Sequence, residues 1–163
     1  MNLLLTIALG LLSPVVSQQT SQGLSIYQVD QPIPDFSDKT KECYYCFDLE
    51  KGKLADQPLL TKEDIASFDW SSQQITLTDS GKEKVASLEI PLPGMAVAFV
   101  LDGEPVYGFW FWNSLSSFTC DRVCATPTKD FKITFGRPGV EPFGDDPRFD
   151  AKLKSYVSQN FGN

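Results

Sequence analysis

The chain has 163 residues, of which 42% are hydrophobic and 21% charged, and 14 Lys+Arg against 21 Asp+Glu give a net charge of −7. This size and composition predict one globular domain and argue against a disordered chain or a fibrous repeat. The acidic balance argues against binding to nucleic-acid phosphates. The sequence contains no histidine, which excludes His-activated nucleophiles and His-ligated zinc or haem. We therefore expect a non-catalytic protein without a metal or cofactor.

The N-terminus carries an uncharged apolar run over residues 3–16. Its length is typical of a signal peptide and is short for a membrane span, and no later apolar stretch reaches spanning length. The sequence therefore predicts a signal peptide at residues 1–17, although a buried N-terminal helix is an alternative. Residues 18–40 are polar and predict a flexible lead-in with one short strand at 25–29, followed by a single domain at 41–163. The expected location is periplasmic or extracellular.

The four cysteines fit an exported chain, in which an even number predicts disulfides. Residues 42–49 favour a strand, in which residues three apart lie on opposite faces with their Cα atoms roughly 10 Å apart. We therefore expect no bond between Cys43 and Cys46 and favour a bridge between Cys120 and Cys124, which would close a small loop. Two alternatives are a zinc site of four thiolates and a thioredoxin-like use of the CxxC, although no helix is predicted to begin at that motif.

The strongest local signal is a β-hairpin. Two apolar, β-prone segments, 95–101 and 104–112, flank Asp102 and Gly103, which tolerate the positive φ angles of a two-residue turn. The predicted register places Phe99 opposite Val106, with Trp110 and Trp112 on one face and Phe109 and Phe111 on the other. Since both faces are apolar, the hairpin is either covered on both sides or leaves one face for a partner.

The remaining patterns predict an α+β fold: a mostly antiparallel sheet with the Asp-Gly hairpin at its centre and two to three helices packed on it. Thr61 and Asp64 have the spacing of a capping box. The other expected elements are a strand at 67–78 interrupted near Ser71, a short helix at about 80–88, a strand at 131–135 and a C-terminal helix at about 146–160.

Four segments in chain order resemble the first periplasmic head of the SecD protein-export subunit. They read PLLTKEDI (58–65), ITLTDSG (75–81), AFVLDG (98–103) and KITFG (132–136), and the similarity spans about 43–136. The resemblance implies a related α+β fold and contact with unfolded or extended polypeptide. SecD spans the membrane several times, and no such span is predicted here, so proton-coupled export does not carry over.

The aromatic run after the predicted turn is the candidate binding site, with core packing as the alternative reading of its rings. The predicted contact surface combines one hairpin face with the serine-rich loop at 113–124; its residues are Phe109, Trp110, Phe111, Trp112, Ser116 and Ser117. We expect a monomeric, non-catalytic binding or accessory module of the cell envelope with a protein or peptide partner. The alternatives are a secreted inhibitor or immunity-type protein against a basic enzyme, and a thiol-redox protein.

Overall fold

The computed structural model describes residues 22–38 and 40–162; the predicted signal peptide lies outside them. Over these residues the chain forms ten strands and two α-helices, so the α+β prediction is confirmed. In chain order the elements are β1 (Leu24–Asp30), β2 (Lys53–Leu54), β3 (Leu60–Thr61), β4 (Ile65–Asp69), β5 (Gln74–Leu77), α1 (Asp79–Ala86), β6 (Met95–Leu101), β7 (Glu104–Phe111), β8 (Val123–Ala125), β9 (Phe131–Lys132), β10 (Thr134–Phe135) and α2 (Ala151–Asn160).

The described strands form two sheets. The larger has the order β10-β8-β7-β6-β1-β2, with β3 also paired to β1, and the smaller has the order β4-β5-β9. Every pairing is antiparallel except that of β7 with β8. The predicted strand at 131–135 is divided between the sheets, because β9 pairs with β5 whereas β10 pairs with β8. Ile133, fully buried between these two strands, joins the sheets through the core.

The first strand begins earlier than predicted and is paired along both edges. Strand β1 pairs with β6 on one side and with β2 and β3 on the other. Leu24 and Ile26 are fully buried. Residues 24–30 are therefore part of the folded sheet, although the sequence placed them in a lead-in to the domain.

Strands β6 and β7 lie next to each other in the larger sheet, and only Asp102 and Gly103 separate them along the chain. Both residues have positive φ, 51° and 86°. Leu101 pairs with Glu104 as predicted, but Phe99 pairs with Tyr107 instead of Val106. The predicted register is therefore wrong by one residue beyond this point. Pro105 has no N–H to continue the ladder, and Val106 is the extra residue of a β-bulge.

The corrected register separates the rings of β7 onto two differently covered faces. On the first, which we call the helix face, Phe109 and Phe111 pack with Phe99 against the smaller sheet, α1 and α2. The second, the loop face, carries Trp110 and Trp112 together with small residues of β6 and β7. It is covered by the described residues of a segment that comprises 36–38 and 40–49. Space on it is tight, because a Cβ added to Gly108 would lie 2.7 Å from the Phe47 ring.

The covering segment is a loop, so the strand predicted at 42–49 is wrong. Cys43 and Cys46 form a disulfide with a Cα–Cα distance of 5.6 Å, so the prediction that they do not bond each other is also wrong. The short Cα–Cα distance requires the chain to bend between the two cysteines, and at this bend Tyr45 is buried against Trp110 and Trp112. The indole N–H of Trp110 donates to the Tyr45 carbonyl at 2.9 Å and holds the loop on the sheet.

The helix face is held at one end by the buried carboxylate of Asp64. It accepts the backbone N–H of Thr61 at 2.9 Å, which is the reciprocal half of the predicted capping box. It also accepts hydrogen bonds from Ser80 of α1 at 3.2 Å and from the Lys84 ammonium at 2.6 Å. Asp64 therefore ties the short 3₁₀ turn after β3 to helix α1.

The C-terminal helix begins later than predicted. A 3₁₀ turn covers Pro147–Phe149, and α2 follows with the Asp150 carboxylate accepting the Leu153 N–H at its start. Leu153 and Val157 are buried on the helix face.

Candidate functional site

The four rings predicted to contact a partner lie in the core. Phe109 and Phe111 are 0% exposed, Trp110 4% and Trp112 1%. They fill both faces of the sheet and could reach a partner only if the fold opened. The contact surface predicted on them is therefore wrong, and the core alternative holds. The reason is that residues 36–38 and 40–49 cover the face that the sequence left open.

The bridge predicted between Cys120 and Cys124 is not formed. Both are buried thiols, and because Cys43 and Cys46 are bonded, a set of four thiolates for zinc does not exist. The Cys120 thiol donates to the Arg122 carbonyl at 3.6 Å. The interaction between the two neighbouring thiols raises the pKa of Cys120 and lowers that of Cys124. Burial keeps both from acting as accessible nucleophiles. Among the described residues no group of three or more Cys, Asp or Glu could hold a metal ion.

The loop after β7 exposes two large apolar side chains, in addition to Ile33, Phe143 and Phe149 elsewhere in the described chain. Leu115 is 85% exposed and Phe118 37%. The Ser116 hydroxyl donates to the Leu92 carbonyl at 2.6 Å, which places this loop beside Leu92, itself 51% exposed. Ser117 is exposed between Leu115 and Phe118. We call Leu92, Leu115, Ser116, Ser117 and Phe118 the loop surface. It retains both serines of the predicted site and replaces the buried rings with exposed apolar side chains.

A cavity of about 430 Å³ lies beside the loop surface. Its walls include Phe36, Tyr44 and Phe118, and Tyr45 and Asp121 also line it. We call this cavity the aromatic cleft. Phe36 stacks on Phe118 with ring centroids 4.9 Å apart, so the covering loop and the loop surface meet at the cleft.

Two buried polar atoms of the cleft lack a hydrogen-bond partner: the Tyr45 hydroxyl and one carboxylate oxygen of Asp121. Burial raises the pKa of Tyr45, and the nearby negative charge of Asp121 raises it further, so the phenol is neutral. Buried polar atoms in native proteins are usually hydrogen-bonded, and an unpaired one calls for an explanation. Here both belong to residues that line a cavity with access to solvent.

The cleft was not predictable from local sequence patterns because its members are distant along the chain. Phe36 fell in the predicted lead-in, Tyr44 and Tyr45 in the predicted strand, and Asp121 in the predicted cysteine bridge. The CYYC motif was the one sequence feature that could have indicated the cleft. If this motif forms a turn and not a strand, its two tyrosines lie together at one bend. A disulfide between the flanking cysteines requires such a turn.

No helix in residues 22–38 and 40–162 has the length and apolarity needed to cross a membrane. Comparisons with protein-family profiles, with curated proteins and with solved structures find no match to this chain.

Proposed function

We propose that the chain is an exported, non-catalytic binding module of the cell envelope or the extracellular space, and that it contacts a protein or peptide partner through the loop surface. The observation that carries the proposal is the exposure of Leu115, next to the exposed Leu92 and Phe118. Monomeric proteins rarely leave several large apolar side chains together in water, and such patches mark interaction sites. The hydrogen bond from Ser116 to Leu92 holds the two halves of the surface in place.

The disulfide between Cys43 and Cys46 supports export, because disulfides persist in oxidising compartments. The apolar run at residues 3–16 supports it independently as a signal peptide. A thiol-redox function draws less support from the same bond. The described residues around it form a loop, and no helix begins there to lower the pKa of a thiol.

A relationship to the SecD periplasmic head is part of the proposal. Its support is the order of the four similar segments, which here contain β3 with its 3₁₀ turn, β5 with the start of α1, the end of β6, and β10. In this form of the proposal, the partner is an extended polypeptide, and the apolar side chains of the loop surface contact it without sequence specificity.

The net charge of −7 favours a second candidate, an inhibitor or immunity-type protein with one basic target. The two candidates differ in the number of partners. An inhibitor binds one protein stoichiometrically, whereas a polypeptide-binding module contacts many.

Photo-cross-linking in envelope extract of the source organism tests the proposal. We expect a photoreactive phenylalanine at position 115 to give adducts that the substitutions Leu92→Ser and Phe118→Ser reduce. The matched control places the same group at position 149, because Phe149 is 53% exposed but lies outside the loop surface. One dominant adduct would favour the inhibitor, and a broad series would favour the polypeptide binder. Equal labelling from positions 115 and 149 would contradict the proposal.

A further inference from the structure

We propose that the aromatic cleft binds the cationic side chain of a lysine or arginine of the protein partner. This inference rests on the proposed function, because it gives the chemistry of one residue that the partner brings to the loop surface. Phe118 belongs to both the cleft and the loop surface, so a partner lying on the loop surface passes the opening of the cleft.

The walls of the cleft suit a cation. The Phe36 ring centroid lies 4.9 Å from that of Phe118, 5.6 Å from that of Tyr44 and 5.7 Å from that of Tyr45. Ring faces carry partial negative charge, and a Lys or Arg head group within about 6 Å of a ring centroid is attracted to it. Because Phe36 and Phe118 stack on each other, an occupant of the cleft contacts the outer surfaces of the lining rings, which also provide apolar surface for an aliphatic stem.

The polar atoms of the cleft suit the same occupant. Asp121 brings a carboxylate to the lining of the cleft, and one of its oxygens and the Tyr45 hydroxyl are buried without a hydrogen-bond partner among the described residues. An ammonium or guanidinium group supplies several N–H donors together with a positive charge opposite to that of the Asp121 carboxylate. A neutral donor such as a side-chain amide would hydrogen-bond the oxygen but leave its charge uncompensated.

No cation of the described chain occupies this position. The described residues that line the cleft include one carboxylate and no Lys or Arg. Arg122 follows Asp121 directly, but its guanidinium lies 5.5 Å from the Phe135 ring centroid and donates to the Phe143 carbonyl, so it is engaged elsewhere. The net charge of −7 favours the approach of a basic partner to this surface.

Titrations of the whole chain followed by NMR test the inference, with Nα-acetyl-lysine methylamide, the arginine analogue and the neutral glutamine analogue as probes. We expect saturable shifts at the backbone amides of Tyr44, Phe118 and Thr119 with the two cationic probes and none with the glutamine probe. The variant Asp121→Asn, which keeps the shape of the side chain, should bind the cationic probes about tenfold more weakly. Asp145→Asn, a substitution of an exposed carboxylate that does not line the cleft, is the matched control and should bind as the unsubstituted chain does.

Phe118→Ala gives an independent test at a partly exposed ring, whose removal should leave the fold intact and also weaken binding of the cationic probes. Equal shifts with the glutamine probe, or unchanged binding by both Asp121→Asn and Phe118→Ala, would overturn the inference. The NMR titration and the cross-linking experiment can fail independently of each other. Adducts from position 115 without cation binding would refute only the cleft, whereas cation binding without such adducts would refute only the partner on the loop surface.

Discussion

The two faces of the β6–β7 pair are both apolar and both buried, yet they are covered in different ways. The helix face is covered by a second sheet and two α-helices, whose buried residues include Phe68, Ile75 and Leu153. The loop face is covered by residues 36–38 and 40–49, which form no strand with the sheet and are held by a disulfide, a Trp110 hydrogen bond and aromatic contacts.

This difference explains where the candidate site lies. Regular elements satisfy their own backbone groups, so they can cover a sheet without leaving polar atoms unpaired. An irregular loop can bring polar side chains into the core without giving each of them a hydrogen-bond partner. Three of the five buried side-chain polar atoms that lack partners among the described residues lie on or beside the loop face, in Tyr45, Trp112 and Asp121. The aromatic cleft is built from two of these three residues.

Removing one buried ring from each face should have the largest effect on stability. We expect Phe109→Ala and Trp112→Ala each to lower the free energy of unfolding by about 3–5 kcal/mol, measured by urea denaturation. The loss for Trp112 should lie at the lower end, because a loop can collapse into the cavity more readily than packed helices and strands can. A loss for Trp112→Ala equal to or larger than that for Phe109→Ala would show that the loop cover collapses no more readily than the helices and strands do.

The substitution Asp64→Asn tests the polar contacts behind the helix face. We expect it to lower the free energy of unfolding by about 2–3 kcal/mol, less than for a fully buried ion pair because Lys84 is partly exposed. Asp79→Asn is the matched control, since Asp79 belongs to α1, the helix that contains Lys84, and lies near Lys82 but is fully exposed. A loss as small as that of the control would mean that Asp64 contributes no net stability.

The effect of Asp64 should depend on pH. Burial alone would raise the pKa of Asp64, but hydrogen bonds from Lys84 and Thr61 outweigh it, so the pKa is lowered. A group with a lowered folded-state pKa stabilises the fold above its unfolded pKa of about 3.9. The difference between the unsubstituted chain and Asp64→Asn should therefore be full near neutral pH and shrink as the pH falls below about 4. A difference that stays constant down to pH 2 would contradict the assignment.

Removing the disulfide should have the smallest effect of the three and should be confined to the loop face. We expect the double substitution Cys43→Ser and Cys46→Ser to cost about 2 kcal/mol, because the bond closes a short loop. Hydrogen exchange should become faster in residues 43–49 while the amides of β4 and β5 keep their protection. The reduced, unsubstituted chain should behave in the same way. Faster exchange throughout both sheets would mean that the disulfide holds the whole fold.

Much of the architecture was predictable from local patterns. The spacing of Thr61 and Asp64 identified the cap, and the alternation around Phe68 and Ile75 identified strands that the structure shows as β4 and β5. The register beyond Leu101 was not predictable from the turn alone, because the bulge at Val106 depends on how Pro105 fits beside β6. Because of that one-residue shift, Trp110 and Trp112 share a face with the alanines of β6, and Phe109 and Phe111 share the other face with Phe99. The predicted register gave the reverse arrangement.

The sequence by itself determined the α+β class, the acidic surface, the absence of histidine chemistry and the position of most strands, because these depend on composition and short-range periodicity. The tertiary structure alone decided which cysteines are bonded, which rings are buried and where the cleft lies. The physical reason is that a side chain's exposure depends on what packs over it. The segment that covers Trp110 and Trp112 lies more than sixty residues earlier in the chain, and no local pattern records that contact.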